Sequence, residues 1–179
     1  MREGRDQALI RSATVGDMEA AAQIYGDCVL NGVASYELIA PDAAEMRRRF
    51  ETVRDGGFPW IVAEIDAELV GYAYASPFRT RPAYRYLVED SVYLHREWRR
   101  RGIGNRLLSE LVAVCEEKRY RQMVAVIGGA EIASIELHRR LGFTHSGTIE
   151  ASGFKFGRWL DTVIMQRSLG EGASTLPAP

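Results

Sequence analysis

Residues 122–128, Gln-Met-Val-Ala-Val-Ile-Gly, form an almost unbroken apolar run. A strand with apolar side chains on both faces belongs inside a sheet that is covered on both sides. The neighbouring segments supply such cover. Upstream, "GIGNRLLSELVAVCEEKRY" places Ile103, Leu107, Leu108, Leu111, Val112 and Cys115 on one helical face. Downstream, "ASIELHRRLGF" reads as a short helix closed by Gly142.

The same alternation runs along the whole chain. "ALIRSAT" reads as a short strand, and Thr14 with Asp17 offers helix-capping chemistry before "MEAAAQIYGDCVL". Pro41 and Asp42 open a second amphipathic helix, "AAEMRRRFETVR". "PWIVAEID" and "ELVGYAYASPF" are β-rich and meet at a tight turn near Asp66 and Ala67. "YLVEDSVYLH" is a further strand, and two last strands fall around "THSGTIEAS" and "RWLDTVIMQRSL". Strands interleaved with helices predict an α/β protein in which helices cover a mixed sheet. A length of 179 residues suits one domain. The reading divides the chain into a flexible start over residues 1–7, a folded domain over 8–168 and a disordered tail over 169–179.

The formal net charge of −1 excludes a global field that would steer nucleic acid or a membrane toward the chain. The start, "MREGRDQ", has no apolar stretch of the signal or membrane-spanning kind. Cys28 and Cys115 lie in helical patterns without pairing or ligand spacing, which fits packing roles in a reducing, cytoplasmic setting. The cluster Arg99, Arg100, Arg101 is therefore a local feature. It leads into Gly102, Ile103 and Gly104 at the junction of a strand and a helix. Bare glycine backbone and a helix N-terminus together favour an anion. The spacing matches neither a nucleotide P-loop nor a dinucleotide fingerprint, because Leu107 stands where the third glycine would be.

An Arg-x-x-Gly-x-Gly turn in this place, with this order of elements, resembles the acetyl-CoA pyrophosphate loop of the GCN5-related N-acetyltransferases. "IYGDCVLNGVASYE", "VEDSVYLHREWRRRGIGNRLL", "MVAVIGG", "LHRRLGF" and "GFKFGRWLDT" narrow the likeness to the phosphinothricin and methionine sulfoximine acetyltransferases. The resemblance implies a twisted, mostly antiparallel mixed sheet of about seven strands flanked by about four helices. It implies acetyl-CoA as co-substrate, no metal, a small amino-acid acceptor and a homodimer, with no nucleic-acid or membrane partner. On the cofactor side it implies Val92, Tyr93, Leu94, the turn Arg99–Gly104 and Ser134.

Acetyl transfer needs a neutral amine, a polarised thioester and a proton for the departing thiolate. Glu89 and Asp90 are adjacent on a strand, so they face opposite sides and only one can address the acceptor. Glu89 goes with Ser91 and Tyr93, and Asp90 with Val88, Val92 and Leu94; a bulge of the kind known in this family would change that count. By resemblance the general base is Glu89, the alternative being a solvated or ion-paired carboxylate. An ordinary glutamate lies roughly 4 units below an amine, about 5 kcal/mol against full proton transfer, unless burial narrows the gap. His138 occupies the helix position from which many relatives use a tyrosine to protonate the thiolate; its other reading is a hydrogen-bonded core histidine. His95 and His145 have no metal-ligand spacing.

"SPFRTRPAYRY" carries Arg79 and Arg81, whose planar guanidinium groups suit an anionic amino acid rather than a polyamine. The resemblance assigns acceptor contacts to Arg81, Tyr84 and Tyr36, and leaves Arg79 as a solvated loop charge. "GFKFGRWLDT" is implied near the dimer interface. One departure is Glu131, which stands where the family has an asparagine that bonds the pantetheine arm, unless the "GGAEIAS" loop is one residue short. Competing readings are a peptide N-terminal acetyltransferase, a non-catalytic acetyl-CoA sensor and, weakest, a nucleic-acid binder.

Overall fold

A computed structural model describes residues 8–177. Strands β1 (Leu9–Ser12), β2 (Trp60–Ile65), β3 (Glu68–Pro77), β4 (Leu87–Leu94), β5 (Gln122–Gly128), β6 (Thr144–Lys155) and β7 (Arg158–Ser168) form one sheet in the order β1-β2-β3-β4-β5-β7-β6. All neighbours run antiparallel except β4 and β5, which are parallel. Helices α1 (Met18–Asn31) and α2 (Ala43–Asp55) cover one face. Helices α3 (Ile103–Glu117) and α4 (Ile132–Arg140) cover the other.

Local chemistry sets the boundaries. Asp42 accepts from the Glu45 amide at 2.8 Å and starts α2, and Asp66 and Ala67 take left-handed φ of 50° and 65° to close the β2–β3 hairpin. Thr14 and Asp17 bond each other, Thr14 N–H donating to Asp17 Oδ2 at 2.7 Å, but they cap a short 3-10 turn that leads into α1. The α3 stripe Ile103, Leu107, Leu108, Leu111, Val112 and Cys115 is buried as its spacing requires, against Val88, Met123, Ala125 and Ile127 of β4 and β5. On the other face, Met18, Ile24, Tyr25, Met46 and Phe50 pack on Trp60, Val62 and Tyr72. Both cysteines are free and buried, as their settings implied.

One open point of the sequence reading is resolved, and one expectation is changed. The β3–β4 register runs without a break from Gly71 opposite Leu94 to Pro77 opposite Val88, so the strand holding Glu89 has no bulge there. Strict alternation therefore holds, with Val88, Val92 and Leu94 on the α3 side and Tyr93 on the α1 side. The chain also stays on the domain beyond residue 168. Leu169 is fully buried, and Arg121 donates to Glu171, Thr175 and the Leu176 carbonyl. Tail composition marked that segment as disordered; Leu169 and the bonds from Arg121 attach it as far as Leu176. The expected flexible start, and the last two residues of the tail, lie outside the described residues.

Candidate active site

The parallel pairing of β4 with β5 covers only Leu87 to Asp90 against Gln122 to Ala125. Beyond it both strands continue, β4 to Leu94 and β5 to Gly128, without pairing to each other. Their other edges are taken by β3 and β7. The sheet thus opens into a fork whose inner edges offer backbone groups of Ser91–Leu94 and of 126–128. Val92, Tyr93 and Leu94 lie on one edge. Tyr93 packs edge-on to Tyr25 at 4.9 Å between centroids.

At the open end of β4 the chain turns through Arg99–Gly104 into α3. Arg100 and Gly102 have φ of 64° and 80°, and Gly102 is the residue from which the helix starts. The first-turn amides have no preceding helical carbonyl to bond, and the helix dipole adds positive character there. The two glycines serve different ends. Gly102 supplies the left-handed turn with open space around it, whereas a Cβ on Gly104 would sit 3.2 Å from Leu94 Cδ1. Gly104 thus lets α3 approach the end of β4. Arg101 lies over the Trp98 ring at 4.6 Å, and Arg99 and Arg100 are exposed.

Glu89 sits in the paired part of β4, opposite Ser76 of β3. Burial, reinforced by the neighbouring Asp90 carboxylate, raises its pKa above the usual carboxylate value, with the Arg79 charge acting the other way. That field places Arg79 within electrostatic reach of Glu89, a part the sequence did not give it. The Arg79 guanidinium lies over Phe78 at 4.1 Å. Arg81 and Tyr84 are exposed on the 3-10 turn that follows, with Tyr84 edge-on to Phe78. The segment therefore caps the strand ends next to Glu89. Tyr74, opposite Ser91 and stacked on Trp60 at 4.3 Å, extends an aromatic surface from the core to that place.

Tyr36 is pinned on the loop between α1 and α2. Its hydroxyl donates to the Asp161 carbonyl at 2.9 Å, meets Thr162 Oγ1 at 2.9 Å and accepts from the Gly129 amide at 3.1 Å. Gly128, Gly129 and Gly153 make room for this loop: a Cβ on Gly153 would lie 2.6 Å from the Tyr36 ring, and one on Gly129 would lie 2.4 Å from Val33. Nearby, the buried Lys155 ammonium donates to the Ser35 carbonyl at 2.8 Å. The glycines were visible in the sequence; what they accommodate was not.

His138 is buried, and both ring nitrogens have partners inside the protein. Nδ1 lies 2.7 Å from the Ser134 carbonyl and 3.4 Å from Ser134 Oγ, and Nε2 lies 2.9 Å from Asp90 Oδ2. The partnership with Asp90 spans 48 positions and carried no sequence signal. Glu131 is exposed at the start of α4 and makes no capping bond. Among the described residues no group of His, Cys, Asp and Glu is arranged to hold a metal, and no helix is long and apolar enough to cross a membrane.

A forked mixed sheet with a glycine turn at its mouth and a part-buried carboxylate near its root is the architecture of an acyltransferase. Residues 22–143 match the acetyltransferase (GNAT) family, and the chain belongs to it as an N-acetyltransferase. It is 46% identical over 169 residues to the phosphinothricin N-acetyltransferase of Alcaligenes faecalis, covering 94% of this chain and 86% of that one. To the L-methionine sulfoximine/L-methionine sulfone acetyltransferase of Pseudomonas aeruginosa it is 40% identical, over 90% of this chain and 95% of the other. The crystal structure of a phosphinothricin acetyltransferase from Sinorhizobium meliloti in complex with AcCoA superimposes with a TM-score of 0.94. The two chains are 54% identical, with 96% of this one and 93% of that one covered.

Proposed function

We propose that the enzyme transfers the acetyl group of acetyl-CoA to the α-amino group of a small amino acid of the phosphinothricin, methionine sulfoximine or methionine sulfone type. The observation that carries this reading is Glu89: a part-buried carboxylate with a raised pKa, beside an arginine-bearing segment and at the root of the fork. The amides of Gly102, Ile103 and Gly104, with Arg99–Arg101, receive the diphosphate, and the unpaired edge Val92–Leu94 receives the extended arm. Ser134 lies at the opposite arm. Arg81 and Tyr84, with Tyr36 as an aromatic wall, hold the acceptor and its carboxylate.

Glu89 takes one proton from the substrate ammonium, directly or through a water. The amine then attacks the thioester carbonyl, and the tetrahedral adduct collapses with loss of thiolate. The second proton shed by nitrogen neutralises that thiolate, so the products are the amide, free CoA and one proton held by Glu89. The raised pKa narrows the gap of roughly 4 units between an ordinary glutamate and the amine. His138 keeps both its partners in this scheme.

The exposed aromatics Phe154, Phe156 and Trp159 at the β6–β7 hairpin support a homodimer formed through that edge, since aromatic residues favour interfaces. Two buried free thiols fit a reducing cytoplasmic compartment. The test is thiol release from acetyl-CoA against methionine sulfone, methionine sulfoximine, phosphinothricin, spermidine and a short peptide. Turnover confined to the first three is expected, and preference for spermidine or the peptide would overturn the substrate assignment.

A further inference from the structure

Asp90 is the last residue of β4 that pairs with β5, so it stands at the root of the fork. His138 reaches it from α4, the helix that follows the opposite arm. The side chains are only 1% and 5% exposed, and among the described residues Asp90 Oδ1 has no hydrogen-bond partner, so the bond the carboxylate makes within the protein is the one to His138.

The protonation of the pair follows from its bonds. The Ser134 carbonyl only accepts, so His138 Nδ1 carries a hydrogen. Another proton must lie between Nε2 and Oδ2, because two lone pairs at 2.9 Å would repel. Burial works to lower the imidazole pKa, but the bond to Asp90, its charge and the Ser134 carbonyl outweigh it and the net shift is upward. This favours the proton on nitrogen, facing the Asp90 carboxylate.

We propose that Asp90 and His138 are a positioning pair, which pins α4 across the fork between β4 and β5 and keeps a negative charge fixed behind Glu89. The surroundings leave this charge in place. On β4 the titratable neighbour is Glu89 itself. On α3 it is Cys115, whose thiol is pushed up to about 12 by burial and then by Asp90, so it stays neutral. From β7, Arg167 is engaged by the Leu141 carbonyl at 2.6 Å and lies 3.6 Å from Glu116. On α4 itself Arg139 pairs with Glu136 and Arg140 is exposed. The consequence for Glu89 rests on its reading as the base.

The pair is tested first without turnover, by NMR of the ring nitrogens in protein labelled with 15N-histidine. The chain has three histidines, and solvent reaches His95 and His145, which serve as references. About 1 unit above the ordinary imidazole pKa of about 6.5, His138 is expected to keep protons on both nitrogens. A His138 ring that is singly protonated there, or lacks a proton on Nε2, overturns the pair.

Kinetics supply the second arm. In Asp90→Asn the amide N–H donates to Nε2 of the neutral ring, so the pin persists and the charge is gone. The acid limb of kcat/KM shifts to lower pH, and the KM for acetyl-CoA stays at the wild-type value. Asp90→Ala removes the pin, and that KM rises several-fold. An Asp90→Asn profile superposed on wild type, or an unchanged KM in Asp90→Ala, refutes the positioning role. Failure of the Glu89 assignment would show separately, as full activity in Glu89→Gln with the histidine spectrum unaltered.

Discussion

Tyr36→Phe removes one oxygen and leaves the ring seated on Gly153. The Asp161 carbonyl keeps the Ala130 amide at 3.1 Å, and Thr162 Oγ1 keeps Ser152 Oγ at 2.7 Å. The Gly129 amide is worse placed, since the lost hydroxyl was its acceptor and a phenyl edge replaces it. A stranded, part-buried amide costs about 1–3 kcal/mol, and the lost bond to Asp161 adds about 1 kcal/mol. The sum is about 2–4 kcal/mol, a fall of roughly 4–16 °C in Tm for a chain of this size. Gly129 also leads into α4, so the KM for acetyl-CoA should rise while kcat changes little. Urea denaturation and steady-state kinetics on the same preparation read both effects. A stability change below about 0.5 kcal/mol would show that the hydroxyl does not tie the loop to β7 and the turn after β5.

Two further perturbations probe the frame around the site. In Gly71→Ala the new Cβ would lie 2.4 Å from Leu94 Cδ2 and 2.9 Å from the Tyr93 carbonyl, so overpacking should cost about 1–3 kcal/mol by thermal denaturation. Because Leu94 also abuts Gly104, the same variant should weaken acetyl-CoA binding by calorimetry. Asp17, held by Arg11 at 2.8 Å and by Thr14, has its pKa lowered from 3.8 to about 2, chiefly by the Arg11 hydrogen bond. A depressed carboxylate stabilises the fold above its unfolded pKa, and that contribution fades as pH falls from about 4 toward 2. The shift corresponds to about 2 kcal/mol, or about 1 kcal/mol after solvent screening of the part-exposed arginine. Asp17→Asn should lose that amount at pH 7, and its stability should fall less steeply than the wild type's below pH 4.

What the sequence revealed was local or periodic. The run 122–128 coincides with β5, and the stripe from Ile103 to Cys115 is buried as one face. Alternation along β4 separated Glu89 from Asp90, and the packing of Val88 and Tyr93 on opposite faces agrees with it. The turn at Gly102 was legible because left-handed geometry has few residue solutions. What stayed hidden depends on contacts between distant segments. Neither partner announces the bond from Asp90 to His138, since an isolated carboxylate and an isolated histidine have many possible fates. Tyr36 was readable as an aromatic, yet its hydroxyl partners come from β7 and from the turn after β5, and Arg79 gained its relation to Glu89 only where the end of β3 comes beside β4. The composition of the tail gave no sign of the buried Leu169 or of the bonds from Arg121.

The proposed reaction depends on Glu89 drawing the proton from the attacking amine. Its most direct test is the pH dependence of kcat/KM for wild type and Glu89→Gln, with methionine sulfone as acceptor and the acetyl-CoA Kd measured alongside. A loss of about 10²–10⁴-fold is expected in the variant, with disappearance of the acid limb and an unaltered Kd. A variant within about threefold of wild type, with the acid limb still present, would show that another group takes the proton.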